Sequence, residues 1–447
     1  MTSSVDKPYE TVPVLDDKTT VGLPSETGEK SPSLAETAPE PSPAAPAIVP
    51  PDGGYGWVVV ASCFFCIFAA YGFLNSFGVY AEYYKNTAYT TTPSAVITLI
   101  GVLQVAFLNL TAPVAGWLAD HLHFNVVIAV GGVIMCLGMV IASFATHIWM
   151  LLVFQGAMVG IGASLVVTLS ITVPAQWFTS KRGLASGIVF SGSGFGGVAF
   201  SPIIRKLMTT VGFGWTARIS GIIVGVLIVI ASIGIRRLFP PAPRAKLFDI
   251  SRFKDIKMIM FALYSILMFG VFFIPYYYLP IFTTRHGYSA SVGSMLALLT
   301  NLGTAVGRIF SGFVSDRIGN FNTLLLSILI ALVSTLVLWL PFTSVGTAAA
   351  YAVIYGIASG GQITMLGVTV AQVFGIERLA SYFGMIMFLG AAGVLPGTPS
   401  AGQLLDSLGH GSNFTPLIIY LAIVLALQLV PVTYLRAGFS RRPFVKF

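Results

Sequence analysis

One cation stands inside an apolar stretch of this chain. Arg308 lies within the segment 290–315, with Thr304 about one helical turn before it and Asn301 about two. About eight residues at 1.5 Å each separate it from the charged turn at Asp316, which sets it roughly 12 Å inside. A charge at that depth is costly and is kept where it faces a cavity or a partner. A guanidinium fork suits a carboxylate, to which it can give two charge-assisted hydrogen bonds. The other reading is an arginine that snorkels to the nearer face or makes a structural pair. Tyr71 and Asn75 are four residues apart and share one helix face. Gln104, Asn301 and Gln362 are mid-segment polar groups that either contact a ligand or hydrogen-bond between helices. Tyr276, Tyr277 and Tyr278 either line an outer mouth or form an interfacial belt, and the belt is the expected role. The substrate-contact set expected from sequence is therefore Arg308, Asn75, Tyr71, Thr304, Asn301 and Gln362.

A second set of charges sits at segment ends. Gly312–Gly319 reads GFVSDRIG, and Gly116–Asp120 reads GWLAD. The two glycines are 196 residues apart, and so are Asp120 and Asp316. The same offset relates Gln176 to Gln372, Phe178 to Phe374, Arg182 to Arg378, Gly160 to Gly356 and Tyr80 to Tyr276. Several matches at one spacing indicate parallel repeats with a site between them. An aspartate in such a turn can bind a neighbouring helix N-terminus or a nearby arginine. Asp120, Asp316, Arg317, Arg182 and Arg378 are thus expected to clasp one end of the molecule.

The elements that must position these residues follow from composition. The chain has 447 residues, 55% hydrophobic and 9% charged, against about 25% charged in soluble domains. Twelve apolar segments lie between residues 56 and 436, each long enough to cross a roughly 30 Å hydrocarbon core as a helix. The fold class is an all-α membrane protein of twelve transmembrane helices in two six-helix, pseudo-symmetric halves. Residues 1–50, rich in Pro, Ser, Thr and Glu, read as a disordered tail. Residues 51–238 form the first half, 239–256 a basic linker, 257–437 the second half and 438–447 a C-terminal tail. The loops on the side of both termini, with the C-terminal tail, hold fifteen Lys and Arg, against five on the other side. That side is expected to be cytoplasmic, with both termini inside. The net charge of +8 is then a topology signal and gives no reason to expect nucleic acid.

Several chemistries find no support. Cys63 and Cys66 form C-x-x-C inside the first apolar segment, where two small buried residues are expected in place of a redox pair. Gly192–Gly197 fits G-x-G-x-x-G, but within a membrane span and after no strand, so no dinucleotide is expected. Walker A is absent, and no nucleophile–base or metal-ligand cluster appears. Neither an enzyme, a cofactor nor a metal is expected. The small residues Gly183, Gly187, Ser191, Gly192, Gly194, Gly196 and Gly197 give the fifth segment a face for close helix contact and sliding. Pro396 and Pro399 are expected to bend the eleventh. Asn413-Phe414-Thr415 is a glycosylation sequon too near the membrane for expected use.

These stretches resemble a known family. Gly116-x-Leu118-Ala119-Asp120 and Gly312-x-Val314-Ser315-Asp316-Arg317-x-Gly319 are similar to the loop signature of the major facilitator superfamily. Asp52-Gly53-Gly54-Tyr55-Gly56-Trp57 and Trp177–Gly187 resemble two motifs of the monocarboxylate transporter family, and the tail and linker look like its fungal branch. The resemblance implies a major facilitator bundle, secondary transport by alternating access and substrate contact by the helix-8 arginine, Arg308. It also exposes two departures. Members taking lactate-like substrates carry an aspartate where this chain has Thr304, and a lysine where it has Asn75. No Asp or Glu lies mid-helix, so proton coupling is possible without a visible carboxylate relay. The expected function is carriage of a small organic anion or monocarboxylate-like metabolite. The alternative is efflux of a fungal secondary metabolite, with a riboflavin-like importer or a transporter-like sensor behind it. The expected partners are a small-molecule substrate and the bilayer, with an accessory subunit left open. The plasma membrane is the expected location, a vacuolar or other internal membrane the alternative.

Overall fold

The computed structural model describes residues 50–239, 254–341, 344–376, 379–410 and 413–438. Most of the expected linker, nearly all of both expected tails, and Arg378 lie outside these residues. In lipid every backbone polar group must be satisfied within its own segment, and the apolar segments accordingly form helices. They are α1 (Tyr55–Ala88), α2 (Val96–His121), α3 (Phe124–Ala142), α4 (Ile148–Trp177), α5 (182–211), α6 (213–233), α7 (Ile256–Arg285), α8 (Ser291–Ile318), α9 (Asn320–Trp339), α10 (Val345–Phe374), α11 (Leu379–Ser407) and α12 (Thr415–Ala437). α5 and α6 follow one another in a run of 52 residues that kinks between them. Gly212 breaks it with φ 74° and ψ 175°, a left-handed conformation that glycine reaches without a Cβ penalty. Among the described residues the membrane-length segments are therefore twelve.

α1 is less regular than the sequence suggests. The helix stops at Asn75, and Ser76 (φ −86°, ψ 2°) interrupts it before Phe77–Tyr83 resumes. Ser76 Oγ donates to the Gly72 carbonyl at 2.9 Å and accepts from Ser201 Oγ of α5 at 3.1 Å, so the break is held from both sides.

Glycine decides how the helices approach. A Cβ on Gly160 of α4 would lie 2.6 Å from the Gln104 carbonyl oxygen of α2. A Cβ on Gly356 of α10 would lie 2.5 Å from the Thr300 carbonyl oxygen of α8. Both members of these pairs are related by the offset of 196, so the repeat is one of backbone packing and not of letters alone. The first six helices meet the last six through similar contacts. Gly116 of α2 lies against Ala380 of α11, and Gly384 of α11 against Ala112 of α2. On α5, Gly183, Gly187 and Gly194 face Ser315, Arg308 and Ala305 of α8. Gly192 and Gly196 turn instead to Phe64, Phe68 and Gly72 of α1. The small face expected on this helix is thus two faces, one for each neighbour.

Candidate functional site

Arg308 sits where α5 and α8 touch. Gly360 of α10 is close to its side-chain stem on the other side. The residue is 6% exposed. Its Nη1 donates to the Phe190 carbonyl oxygen of α5 at 2.6 Å, and the guanidinium lies 5.9 Å from the Phe190 ring. A helical carbonyl has a second lone pair to offer. Among the described residues, the titratable groups that act on the guanidinium are Tyr276 of α7 and Tyr71 of α1, with no carboxylate among them. Arg308 Nε is buried without a hydrogen-bond partner. The snorkelling alternative does not describe this side chain, which is held inward by the opposite half.

The other expected contacts separate into three groups. Tyr71 and Thr304 belong with Arg308. Tyr71 lies near enough to the guanidinium to act on it electrostatically, and the Thr304 hydroxyl is 2.5 Å from the Tyr276 hydroxyl, which also lies 3.1 Å from Ser359 Oγ of α10. Asn75 lies one turn along α1 from Tyr71 and donates to the Ser193 carbonyl oxygen at 3.2 Å. Phe190 and Ser193 are three residues apart on α5, so Arg308 and Asn75 grip one face of that helix. Asn301 and Gln362 form no hydrogen bond with Arg308 or Asn75 among the described residues. The Asn301 amide donates to Ala297 of its own helix at 2.9 Å. Gln362 is 2% exposed with Nε2 unpartnered. Gln104 serves as structural glue, donating to the Gln155 carbonyl at 3.0 Å.

Tyr276 corrects the expectation of an interfacial belt. Its hydroxyl is tied to Thr304 and Ser359 inside the bundle, because two neighbouring helices supply hydroxyl partners there. Tyr277 and Tyr278 line a cavity of ≈ 320 Å³ with Thr98 and Val105 of α2, Phe273 of α7 and Val394 of α11. The Phe273 ring lies 6.3 Å from that of Tyr276, so one aromatic layer separates this vestibule from the Arg308 cluster. Sequence reasoning missed the Phe190 and Ser193 carbonyls and Ser359. The only signal for the carbonyls was the glycine spacing of α5, where Gly197 lets Asn75 approach.

The clasp residues divide as well. Asp316 Oδ1 accepts from the Gly183 N–H at 2.9 Å and Oδ2 from the Leu184 N–H at 3.0 Å. It therefore caps the N-terminus of α5, the first of the two expected modes. The Arg182 side chain gives its Nε to the Phe178 carbonyl at 3.1 Å and lies near both Asp316 and Asp52. Arg317 is turned away, its guanidinium 4.1 Å from the Phe313 ring of its own helix. Its place in the clasp is not supported, since an exposed side chain on the same helix gains that ring contact instead. Asp120 is buried beside Arg237, whose Nη1 donates to the Ala119 carbonyl at 2.7 Å. Arg378 lies outside the described residues.

The two motifs that resemble one family prove to be in contact. Asp52 accepts from the Thr179 N–H and hydroxyl and from the Ser180 N–H. Tyr55 lies 5.6 Å from the Trp177 ring, and Trp57 lies 4.9 Å from Phe178. Burial acts to raise the Asp52 carboxyl pKa, but the hydrogen bonds from Thr179 and Ser180 outweigh it and hold the group below the usual carboxylate range.

A bundle of membrane-length helices, with one buried cation between its halves and caps closing one end, defines a multi-pass membrane carrier. The chain belongs to the Major Facilitator Superfamily, whose profile matches residues 60–398. It is 30% identical over 403 residues to the MFS transporter asaE of Aspergillus flavus, covering 89% of this chain and 90% of that one. It is 31% identical to the agnestins efflux protein AgnL12 of Paecilomyces divaricatus, covering 83% and 86%. The fold matches the transporter FucP in its outward conformation with a TM-score of 0.65 at 16% identity, over 85% of this chain and 98% of that one. The protein is an MFS transporter. The narrower monocarboxylate affiliation rests on the motifs alone.

Proposed function

We propose that this carrier exports an organic anion with an aromatic or otherwise bulky body, a secondary metabolite in class, by alternating access. The observation that carries the reading is Arg308, buried between the halves with Nε unpartnered and no carboxylate facing it. A substrate carboxylate or enolate would supply the missing acceptor. The Phe190 ring lies 5.9 Å from the cation, and Tyr71 and Tyr276 are its nearby phenols. The adjoining vestibule of ≈ 320 Å³ has room for more than a lactate-sized acid. One relative is named as an efflux protein, which favours export. We assign Tyr71, Thr304 and Asn75 to the substrate's surroundings, and Asn301 and Gln362 to their margin. Asp316, Asp120 and Arg182 close the end expected to be cytoplasmic. The plasma membrane is the proposed location, with both termini inside.

Counterflow in proteoliposomes tests this. Labelled p-aminohippurate, an aromatic monocarboxylate, and lactate are compared for wild type, Arg308→Lys and Arg308→Gln. p-Aminohippurate should exchange in the wild type and lose affinity at least 30-fold in Arg308→Gln, since removing one side of a buried charge pair costs about 2 kcal/mol or more. Exchange of lactate alone would restore the small-monocarboxylate reading. Failure of both acids to exchange would overturn the anion reading.

A further inference from the structure

The charge inventory of the spans sets the driving force. Every Asp, Glu and His of the sequence lies in a tail, a loop or at a span end, and Arg308 is the one ionic group deep within a span. Around it, α1 presents Tyr71, α7 presents Tyr276, α5 presents Phe190 and its carbonyl, and α10 presents Gly360 and Ser359. The two phenols, with an ordinary pKa of about 10, stay neutral at physiological pH. The binding site therefore carries a fixed single positive charge when empty and none when it holds a monoanion. It offers no group that could load a proton with the substrate and release it on the other side.

We infer that export is electrogenic and driven by the membrane potential, with the voltage acting on the return of the empty carrier. This rests on the anion reading above. The loaded carrier crosses neutral, because the substrate's negative charge cancels the guanidinium. The empty carrier brings Arg308 back as an uncompensated cation, and an inside-negative potential favours that inward movement. Over one cycle one negative charge leaves the cell and no proton is exchanged. In the empty carrier the guanidinium keeps its hold on the Phe190 carbonyl, which gives the cation a partner while no substrate is bound.

The test uses the full-length carrier in proteoliposomes loaded with p-aminohippurate, with potentials set by potassium and valinomycin. Net efflux should be accelerated by an inside-negative potential, and the gradient at equilibrium should change about 50-fold per 100 mV for one charge. Exchange, with p-aminohippurate on both sides, should be nearly insensitive to voltage because both crossings are loaded and neutral. A pH gradient at zero potential should drive no accumulation. Potential-insensitive net efflux, or accumulation driven by a pH gradient, overturns the inference while leaving the anion reading intact. Complete absence of exchange overturns both. A further arm uses Arg308→Lys, which keeps the charge. It should retain voltage-dependent net efflux and voltage-insensitive exchange at reduced affinity, whereas in Arg308→Gln at saturating p-aminohippurate the loaded carrier should carry the substrate's charge and exchange should become voltage-sensitive; exchange that stays insensitive in Arg308→Gln would place the compensating charge elsewhere and refute the assignment to residue 308.

Discussion

Replacing Asp316 by Asn tests how one end of the carrier is held shut. The carboxylate takes the N–H groups of Gly183 and Leu184 with separate oxygens, at 2.9 and 3.0 Å. Asparagine keeps one acceptor oxygen and loses the charge. The loss is one charge-assisted hydrogen bond, about 1.5–3 kcal/mol, and the favourable position of an anion at the start of α5, about 0.3–1 kcal/mol. A combined shift of about 2–4 kcal/mol moves an equilibrium roughly 30- to 900-fold. Spin labels at Lys181 and Arg317, both exposed, would report the separation of α5 and α8 in nanodiscs once Cys63, Cys66 and Cys136 are replaced. The distance distribution of Asp316→Asn should gain a longer population by that factor relative to the wild type. An unchanged distribution would refute the cap as a determinant and leave the glycine contacts as sufficient closure.

Three further outcomes follow from the same geometry. Gly187→Val pushes a side chain into the Arg308 backbone; overpacking of about 1–3 kcal/mol should separate the same labels and abolish exchange while the protein still reaches the membrane fraction. Tyr276→Phe removes a hydroxyl bound to Thr304 and Ser359 and should raise KM for p-aminohippurate about 2- to 12-fold, the range of a single net hydrogen bond, with an unchanged KM placing the hydroxyl outside the binding surface. Asp52→Asn should lower the melting temperature at pH 7. Because the folded carboxyl is held below its usual range, its contribution is present above the unfolded value near 3.9 and lost as pH falls through the folded one, so the difference between variant and wild type should narrow below about pH 4.

Much of the fold could be read from residue types, because lipid leaves few alternatives to an apolar helix. Gly212 separates α5 from α6 where a turn residue was needed, and the offset of 196 reappears as the matched contacts of Gly160 with Gln104 and Gly356 with Thr300. Arg308 was legible for the same reason: a lone charge in an apolar run has few physical uses. Its partner was not, because the Phe190 carbonyl belongs to the backbone and leaves no mark on the residue type at 190. The Asp316 cap was half legible, since an aspartate can choose a helix N-terminus or an arginine, and only the approach of Gly183 to Gly312 makes the first choice available. Tyr276 was misread because tyrosine near a span end suits a membrane interface, and nothing local announces Ser359, 83 residues later, as its partner.

The repeat also shows how the chemistry is divided between the halves. Shifted by 196, Arg308 falls on Ala112, Thr304 on Leu108 and Asn301 on Val105. The backbone at these places is used alike in both halves. Gly384 presses on the Ala112 carbonyl, and Gly187 presses on that of Arg308. Tyr80, the counterpart of Tyr276, is fully buried and spends its hydroxyl on Ser220 of α6 at 2.7 Å, away from any shared site. The second half thus supplies the cation and the hydroxyl chain, whereas the first supplies the carbonyl face of α5, Tyr71 and Asn75. A site divided in this way helps to hold the halves together where α5 and α8 touch. The substrate competes there with the Phe190 carbonyl for a single guanidinium, so binding and the joint between the halves draw on the same group. Arg308→Gln should consequently change two readouts at once: substrate affinity falls, and the population closed at the Asp316 end falls even without substrate. Loss of affinity with an unaltered conformational balance would show that the Phe190 bond is incidental to closure.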